Sequence, residues 1–131
     1  KYEIKIEDID VDIYVPYYSQ IVLPLEEISK KTTKIEGFEV IIPEILLILK
    51  QGAEVERCGS VKGLKDRIDI MTLLCFAGVD FVTYRELLEK YKLGDYRERL
   101  KKIIIAFKDI KYLNFNVKDY AKLKKELLKK I

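Results

Sequence analysis

The first part of the chain alternates apolar and polar residues, a pattern typical of half-buried strands. The segments YEIKI (2–6) and IDVDIYV (9–15) predict two strands that pair as a hairpin around Glu7-Asp8. Because successive side chains of a strand point to opposite faces, Asp8, Asp10 and Asp12 are expected to share one face. This row of carboxylates is either a solvated face or a place for a metal ion.

A second β segment and a change of period follow. KIEGFEVIIP (34–43) predicts a strand pair bent at Gly37 or a single strand over 38–42, after a short helical turn at 25–30. Pro43 is expected to end this segment and begin a helix, because its fixed φ and missing N–H suit a first helical turn. From residue 44 onward the pattern is helical, with stretches at 44–57, 63–78, 80–94, 95–110 and 116–131.

Residues that suit helix ends support these boundaries. Gly59-Ser60 separates the first two helices, and Gly78 is expected to end the second. Side chains typical of N-caps lie at or near the start of the last three helical stretches: Thr83, Asp95 and Asn116. The sequence therefore predicts an α+β fold, with a small N-terminal β-sheet over residues 1–43 packed on a C-terminal bundle of about five helices over residues 44–131.

Charge and composition narrow the possible functions. The net charge is only +3, but residues 95–131 hold 12 basic and 5 acidic residues, and the remainder holds 13 basic and 17 acidic residues. The absence of histidine excludes His-based catalytic triads and His-ligated zinc. Cys58 and Cys75 have no metal-binding spacing, and no signal peptide or membrane-spanning run is visible, so a cytoplasmic protein with reduced thiols is the default expectation.

Charged side chains interrupt two otherwise apolar helices. Lys50 and Arg57 share a face of the first helix, and Asp66 and Asp69 share a face of the second, where Lys65 is spaced to pair with Asp69. One interpretation is a surface with intrahelical ion pairs. The other is that these charges are paired across helices or face a cavity, because charges on an apolar helix need partners.

The order of four motifs resembles the AbiEii-type nucleotidyltransferase-like proteins of the polymerase-β superfamily. The motifs are VDIYVP, LPLEEI, FEVIIPEILLILKQGAEVER and KGLKDRIDIMTLL, and they cover residues 11–74. The family pattern falls on positions spread over the two apolar helices: Pro43-Glu44, Lys50, Ala53, Arg57, Lys65, Asp66 and Asp69. The match spans about half the chain.

The resemblance implies transfer of a nucleoside monophosphate from an NTP to a hydroxyl group of a protein or an RNA such as tRNA. It also allows a role as the toxin of a toxin–antitoxin pair, in which case the chain would have an antitoxin partner. It also implies Mg²⁺, with Asp12 as the first candidate ligand and catalytic carboxylate and Asp10 as the second. Nucleotide contacts would come from the helical part: Lys50, Arg57 and Lys65 beside phosphate, and Asp66 and Asp69 orienting those cations or contacting base or ribose.

The chain departs from the family pattern at its start. The family begins with a G-[GS] turn followed by a D-x-D pair, and neither precedes the DIDVDI segment here. The chain is therefore expected to be the C-terminal portion of such a protein and inactive by itself, with a non-catalytic nucleotide-binding or protein-interaction module as the alternative. The lysines of the last helix are either a solvated face or a platform for tRNA or another polyanion.

Overall fold

The structure, a computed structural model, describes all 131 residues and divides into two compact units, Lys1–Ile42 and Pro43–Ile131. The first unit contains four strands and one short helix: β1 Tyr2–Ile6, β2 Ile9–Ile13, α1 Leu25–Ile28, β3 Thr32–Ile35 and β4 Phe38–Ile41. The second unit is helical: α2 Pro43–Arg57, α3 Val61–Phe76, α4 Phe81–Lys90, α5 Asp95–Ala106, a 3₁₀ turn Ile110–Leu113 and α6 Val117–Lys130. The predicted α+β class, with β structure first and five long helices after it, is confirmed.

The first unit consists of two separate antiparallel hairpins, β1–β2 and β3–β4. In the first hairpin Ile6 pairs with Ile9 across the two-residue turn Glu7-Asp8, so the predicted turn is confirmed. Asp8 belongs to this turn and not to the strand, so only Asp10 and Asp12 share a face of β2. The row of three carboxylates expected from the sequence is thus a row of two.

The second hairpin turns at Glu36-Gly37, as the strand-pair prediction required. Both turn residues have positive φ, 52° and 85° respectively. Two-residue hairpin loops of this type need positive φ at both central positions, which glycine adopts without steric cost. The four strands form two two-stranded sheets instead of the single small sheet predicted.

The first helix of the second unit begins at Pro43, as predicted, and it forms an antiparallel pair with α3. The Ser60 hydroxyl caps α3 by accepting a hydrogen bond from the Gly63 N–H at 3.1 Å. A side chain at Gly63 would collide with the Arg57 carbonyl oxygen, so this glycine permits the close approach of the end of α2 to the start of α3.

Two of the three predicted N-caps are corrected by the structure. Asp80, not Thr83, caps α4: it accepts from the Val82 N–H at 3.1 Å, while the Thr83 hydroxyl donates to it at 2.7 Å. These hydrogen bonds, the one from Thr83 foremost, lower the pKa of Asp80. Asp95 is the first residue of α5 and not its cap, whereas Asn116 caps α6 as predicted.

A buried polar chain ties three helices of the second unit together. The Tyr84 hydroxyl donates to the Gln51 side-chain oxygen at 2.7 Å, and the Gln51 amide donates to the Tyr96 carbonyl oxygen at 2.9 Å. Tyr84 is fully buried and Gln51 is 2% exposed. Because buried polar groups are costly when unpaired, this chain specifies how α2, α4 and α5 pack. None of the helices has the length and apolar character needed to cross a membrane.

Candidate functional site

Three ion pairs join α2 to α3 along their shared face. They run from the middle of the helix pair to the end where α2 leads into α3: Lys50–Asp69 at 2.6 Å, Arg67–Glu54 at 2.9 Å and Arg57–Asp66 at 2.7 Å. Each pair joins one residue of α2 to one residue of α3. Residues later in α2 pair with residues earlier in α3, as expected for antiparallel helices. Of the two interpretations of these charges, pairing across helices agrees with the geometry.

The pairs differ in how deeply their carboxylates are buried. The side chains of Asp66 and Glu54 are 4% and 8% exposed, whereas that of Asp69 is 48% exposed. The Arg57 guanidinium donates to both carboxylate oxygens of Asp66, a fork geometry that adds strength and direction to a charge pair. The buried pairs therefore hold the helices in register, and breaking either would leave a carboxylate out of water without a cation.

The structure thus brings together four of the five residues predicted to contact nucleotide, but as partners of one another: Lys50, Arg57, Asp66 and Asp69. Lys65 is exposed on α3 and forms no ion pair. The expected Lys65–Asp69 pair is replaced by Lys50–Asp69, because Lys50 reaches across from the neighbouring helix. Whether any of the five contacts a nucleotide stays a prediction.

The two candidate metal ligands lie on β2 in the first unit. The Asp12 carboxylate accepts a hydrogen bond from the Lys1 ammonium at 2.9 Å, and Asp10 stands opposite Lys5 in the hairpin register. Carboxylates are the ligands that Mg²⁺ prefers, but no group of three or more acidic or cysteine side chains is placed to hold a metal ion. Two carboxylates facing lysines do not make a magnesium site by themselves, and a complete site would need further oxygen ligands.

A cavity of about 390 Å³ lies in the helical unit, beside the Glu54–Arg67 pair. Its walls come from α2, α3, α5 and the segment that follows α5: Glu54, Cys58, Leu64, Arg67, Arg99, Lys102, Ile103, Ala106, Phe107, Lys108 and Asp109. The volume falls within the range of small-molecule sites in proteins. None of the residues predicted from the sequence to contact nucleotide or metal lines this cavity.

The cavity combines cations with apolar surface. Arg67 is neutralised by Glu54, whose hydrogen bond raises the pKa of Arg67, and Arg99 pairs with Asp95 at 3.2 Å. Lys102 and Lys108 are exposed and form no ion pair. The apolar part is well buried, with Ile103 at 8% and Phe107 at 7% exposed.

Sequence reasoning missed these cavity residues, although one signal was present. Arg99, Lys102, Ile103 and Ala106 follow an i, i+3, i+4, i+7 spacing, which places them on one face of α5. That spacing marks a helix face with both charge and apolar character. Which neighbouring helix that face meets is not encoded in the spacing.

Comparison of the chain with protein-family models, with curated proteins and with solved structures found no significant match.

Proposed function

We propose that the helical unit binds the phosphate groups of a nucleotide in the cavity between α3 and α5, as the substrate-binding part of a nucleotidyltransferase-like protein. The observation that carries the proposal is the placement of two unpaired lysines, Lys102 and Lys108, at the border of a cavity with a buried apolar wall. A nucleotide has the matching two-part character, with anionic phosphates and a flat, largely apolar base.

The two lysines are suited to the phosphates. An ammonium group is a compact charge with three donors on a flexible stem, so it adapts to phosphate oxygens without a fixed geometry. Arg99 adds a third cation whose present partner, Asp95, is 66% exposed and easily replaced by a stronger anion. Leu64 and Ala106 are the exposed apolar residues of the lining, and they offer the base a surface in front of the buried Ile103 and Phe107.

The Glu54–Arg67 pair fixes the position of one side of the cavity. Glu54 holds the Arg67 side chain at 2.9 Å, and Arg67 also donates to the Cys58 sulfur at 3.4 Å. A guanidinium held by two partners loses little freedom when it meets a ligand, and Arg67 lines the cavity. The ladder of ion pairs between α2 and α3 thus serves as scaffold for the site, and Lys65, exposed and unpaired, stays a further candidate contact.

Transfer of a nucleoside monophosphate to a protein or RNA hydroxyl is the activity that the family resemblance implies, with Mg²⁺ bound in part by Asp10 and Asp12. The alternative, a nucleotide-binding module without catalysis, uses the same cavity. A transfer assay distinguishes the two, and nucleotide binding is required by both.

The test is calorimetric titration of the chain with each of the four common NTPs, with and without Mg²⁺. The double variant Lys102→Ala/Lys108→Ala should weaken binding roughly tenfold or more, because each lost contact to a charged group is worth on the order of 1 kcal/mol at an exposed site. The matched control is Lys118→Ala/Lys122→Ala, which removes the same charge from α6. Equal losses in both variants, or no NTP binding by the unaltered chain, would refute the proposal.

A further inference from the structure

A straight line of lysines runs along the exposed side of α6. Its members are separated by four, three and four residues, so they stack on one helix face: Lys118, Lys122, Lys125 and Lys129. All four are exposed, and they lie opposite the buried side chains of Tyr120, Leu127 and Ile131. At about 1.5 Å of rise per residue the line is about 16 Å long. We call these four residues the lysine stripe.

The lysine stripe is not neutralised by the protein. None of its members forms an ion pair, and Glu126, which is within helical reach of Lys122 and Lys129, pairs with neither. By contrast, two cations of α5 pair with carboxylates of their own helix, as Arg99–Asp95 and Lys101–Glu98. Like charges one turn apart disfavour a helix, so the stripe works against the stability of α6.

Both ends of α6 are held in place despite this repulsion. Asn116 caps the first turn by accepting from the Asp119 N–H at 2.8 Å. At the other end Arg85 and Arg97 donate to the carbonyl oxygens of Lys130 and Ile131, at 2.8 and 2.9 Å. Cations at a helix C-terminus also complement its dipole. The helix that carries the stripe is therefore held at both ends and is not a flexible tail.

We propose that the lysine stripe binds the phosphodiester backbone of a nucleic acid. A duplex carries one negative charge per about 1.7 Å of its axis, both strands counted, so about 16 Å of duplex holds about ten phosphates, of which those on the near side can meet the four lysines. The exposed face that carries the stripe has regularly spaced cations and no aromatic side chain that could stack on a base. Such a face is suited to contact with the phosphate backbone and not with the bases. This surface is separate from the cavity proposed to bind nucleotide, and the proposal does not depend on that one.

An anionic lipid surface fits less well. Basic amphipathic helices bind membranes by burying their apolar face among the lipids. The apolar face of α6 is occupied within its own unit: Tyr120 and Leu127 are 7% and 4% exposed, and the Tyr120 hydroxyl donates to the Ile104 carbonyl oxygen at 3.3 Å. Only the charged face of α6 is free to bind a partner. Because no apolar face is left to insert among lipids, a polyanion in solution is the better fit.

The test is fluorescence anisotropy with labelled single-stranded RNA, duplex RNA and duplex DNA at several salt concentrations. The stripe variant replaces all four lysines with glutamine. Its matched control replaces four exposed or half-exposed lysines outside α6: Lys5, Lys31, Lys34 and Lys62. The stripe variant should bind at least tenfold more weakly, and on duplex DNA the slope of log K against log salt should become shallower by up to about 3.6, since each of four phosphate contacts contributes roughly 0.9.

The control variant should keep most of the affinity and the slope. Comparison of the three nucleic acids then shows which backbone the stripe prefers. Equal losses in both variants would overturn the proposal, as would binding of poly-glutamate or of phosphatidylserine vesicles as tight as that of the nucleic acids. Circular dichroism of each variant checks that α6 is still folded. The Lys102→Ala/Lys108→Ala variant should bind nucleic acid normally, which separates failure of this proposal from failure of the nucleotide site.

Discussion

Arg57 at the end of α2 and Asp66 in the second turn of α3 form a two-point contact, with the Nε–H and Nη2–H of the arginine donating to the two carboxylate oxygens at 2.9 and 2.7 Å. The Asp66 side chain is 4% exposed, so this arginine is the partner that lets a carboxylate be buried there. Both residues belong to the set that the family resemblance associates with nucleotide binding. In this structure their first role is to join two helices.

Replacing Arg57 with Met should destabilise the protein strongly, because it leaves the Asp66 carboxylate buried without a cation. We expect a loss of roughly 3 kcal/mol in the free energy of unfolding, and a fall in Tm on the order of 10 °C for a small domain. Lys65→Met is the control. It removes an exposed, unpaired cation from the same helix pair, and should change stability by less than about 0.5 kcal/mol.

A double variant sharpens this test. Arg57→Met combined with Asp66→Leu removes both charges and should recover a large part of the lost stability, because no buried charge is left. A cost of Lys65→Met as large as that of Arg57→Met would contradict the pairing that we describe.

The buried chain from Tyr84 to Gln51 gives a second prediction. Tyr84→Phe removes the donor to the Gln51 side-chain oxygen and leaves a buried acceptor unpaired, at a cost of about 1–3 kcal/mol. Urea denaturation measures this loss. The same substitution at Tyr17, a residue that is 90% exposed, should change stability very little. Equal effects at the two tyrosines would show that the hydrogen bond in the core contributes nothing.

The third prediction concerns alkaline pH. Burial raises the pKa of the Cys75 thiol to about 11 and that of the Tyr120 hydroxyl to about 12. Each group thus holds its proton more tightly in the folded state. Their contribution to stability is complete below the unfolded pKa values, about 8.5 for cysteine and about 10 for tyrosine. It is lost as pH rises through the folded values.

Urea denaturation at a series of pH values should therefore show stability falling from about pH 9 upward. In Cys75→Ala the free energy of unfolding should fall less between about pH 9 and pH 10, where only the thiol titrates in the unfolded chain. The fall above about pH 10, which comes from tyrosine, should remain. Cys58→Ala is the matched control, because that thiol is exposed. An unchanged pH profile in the Cys75 variant would contradict the assignment.

The fourth prediction addresses catalysis. Asp10 and Asp12 are the two carboxylates that share a face of β2, and no cluster of three metal-binding side chains surrounds them. We therefore expect the 131-residue chain alone to transfer no label from radioactive NTPs to itself or to RNA. Label transfer that Asp12→Asn abolishes and Asp8→Asn preserves would contradict this expectation and establish Asp12 as catalytic.

Features that depend on a few neighbouring residues were predictable. The turn at Glu36-Gly37 follows from the conformational freedom of glycine, and the start of α2 follows from the geometry of Pro43. The cap at Asn116 likewise depends on atoms three residues away. The cap of α4 was mispredicted because two suitable residues, Asp80 and Thr83, lie within one turn, and both take part in the cap.

The order of strands and helices could be predicted from the sequence, since the change of period at Pro43 reflects which side chains of each element must leave water. The need of the charges in the α2 and α3 segments for partners was equally predictable. Which partners they take depends on how the helices pack. Lys65 and Lys50 compete for Asp69, and Lys50 prevails because the antiparallel packing of α2 and α3 brings its ammonium within 2.6 Å of that carboxylate. The cavity beside Arg67 likewise depends on tertiary packing. Helical spacing determines which residues share a face, but loops and core packing determine which faces meet.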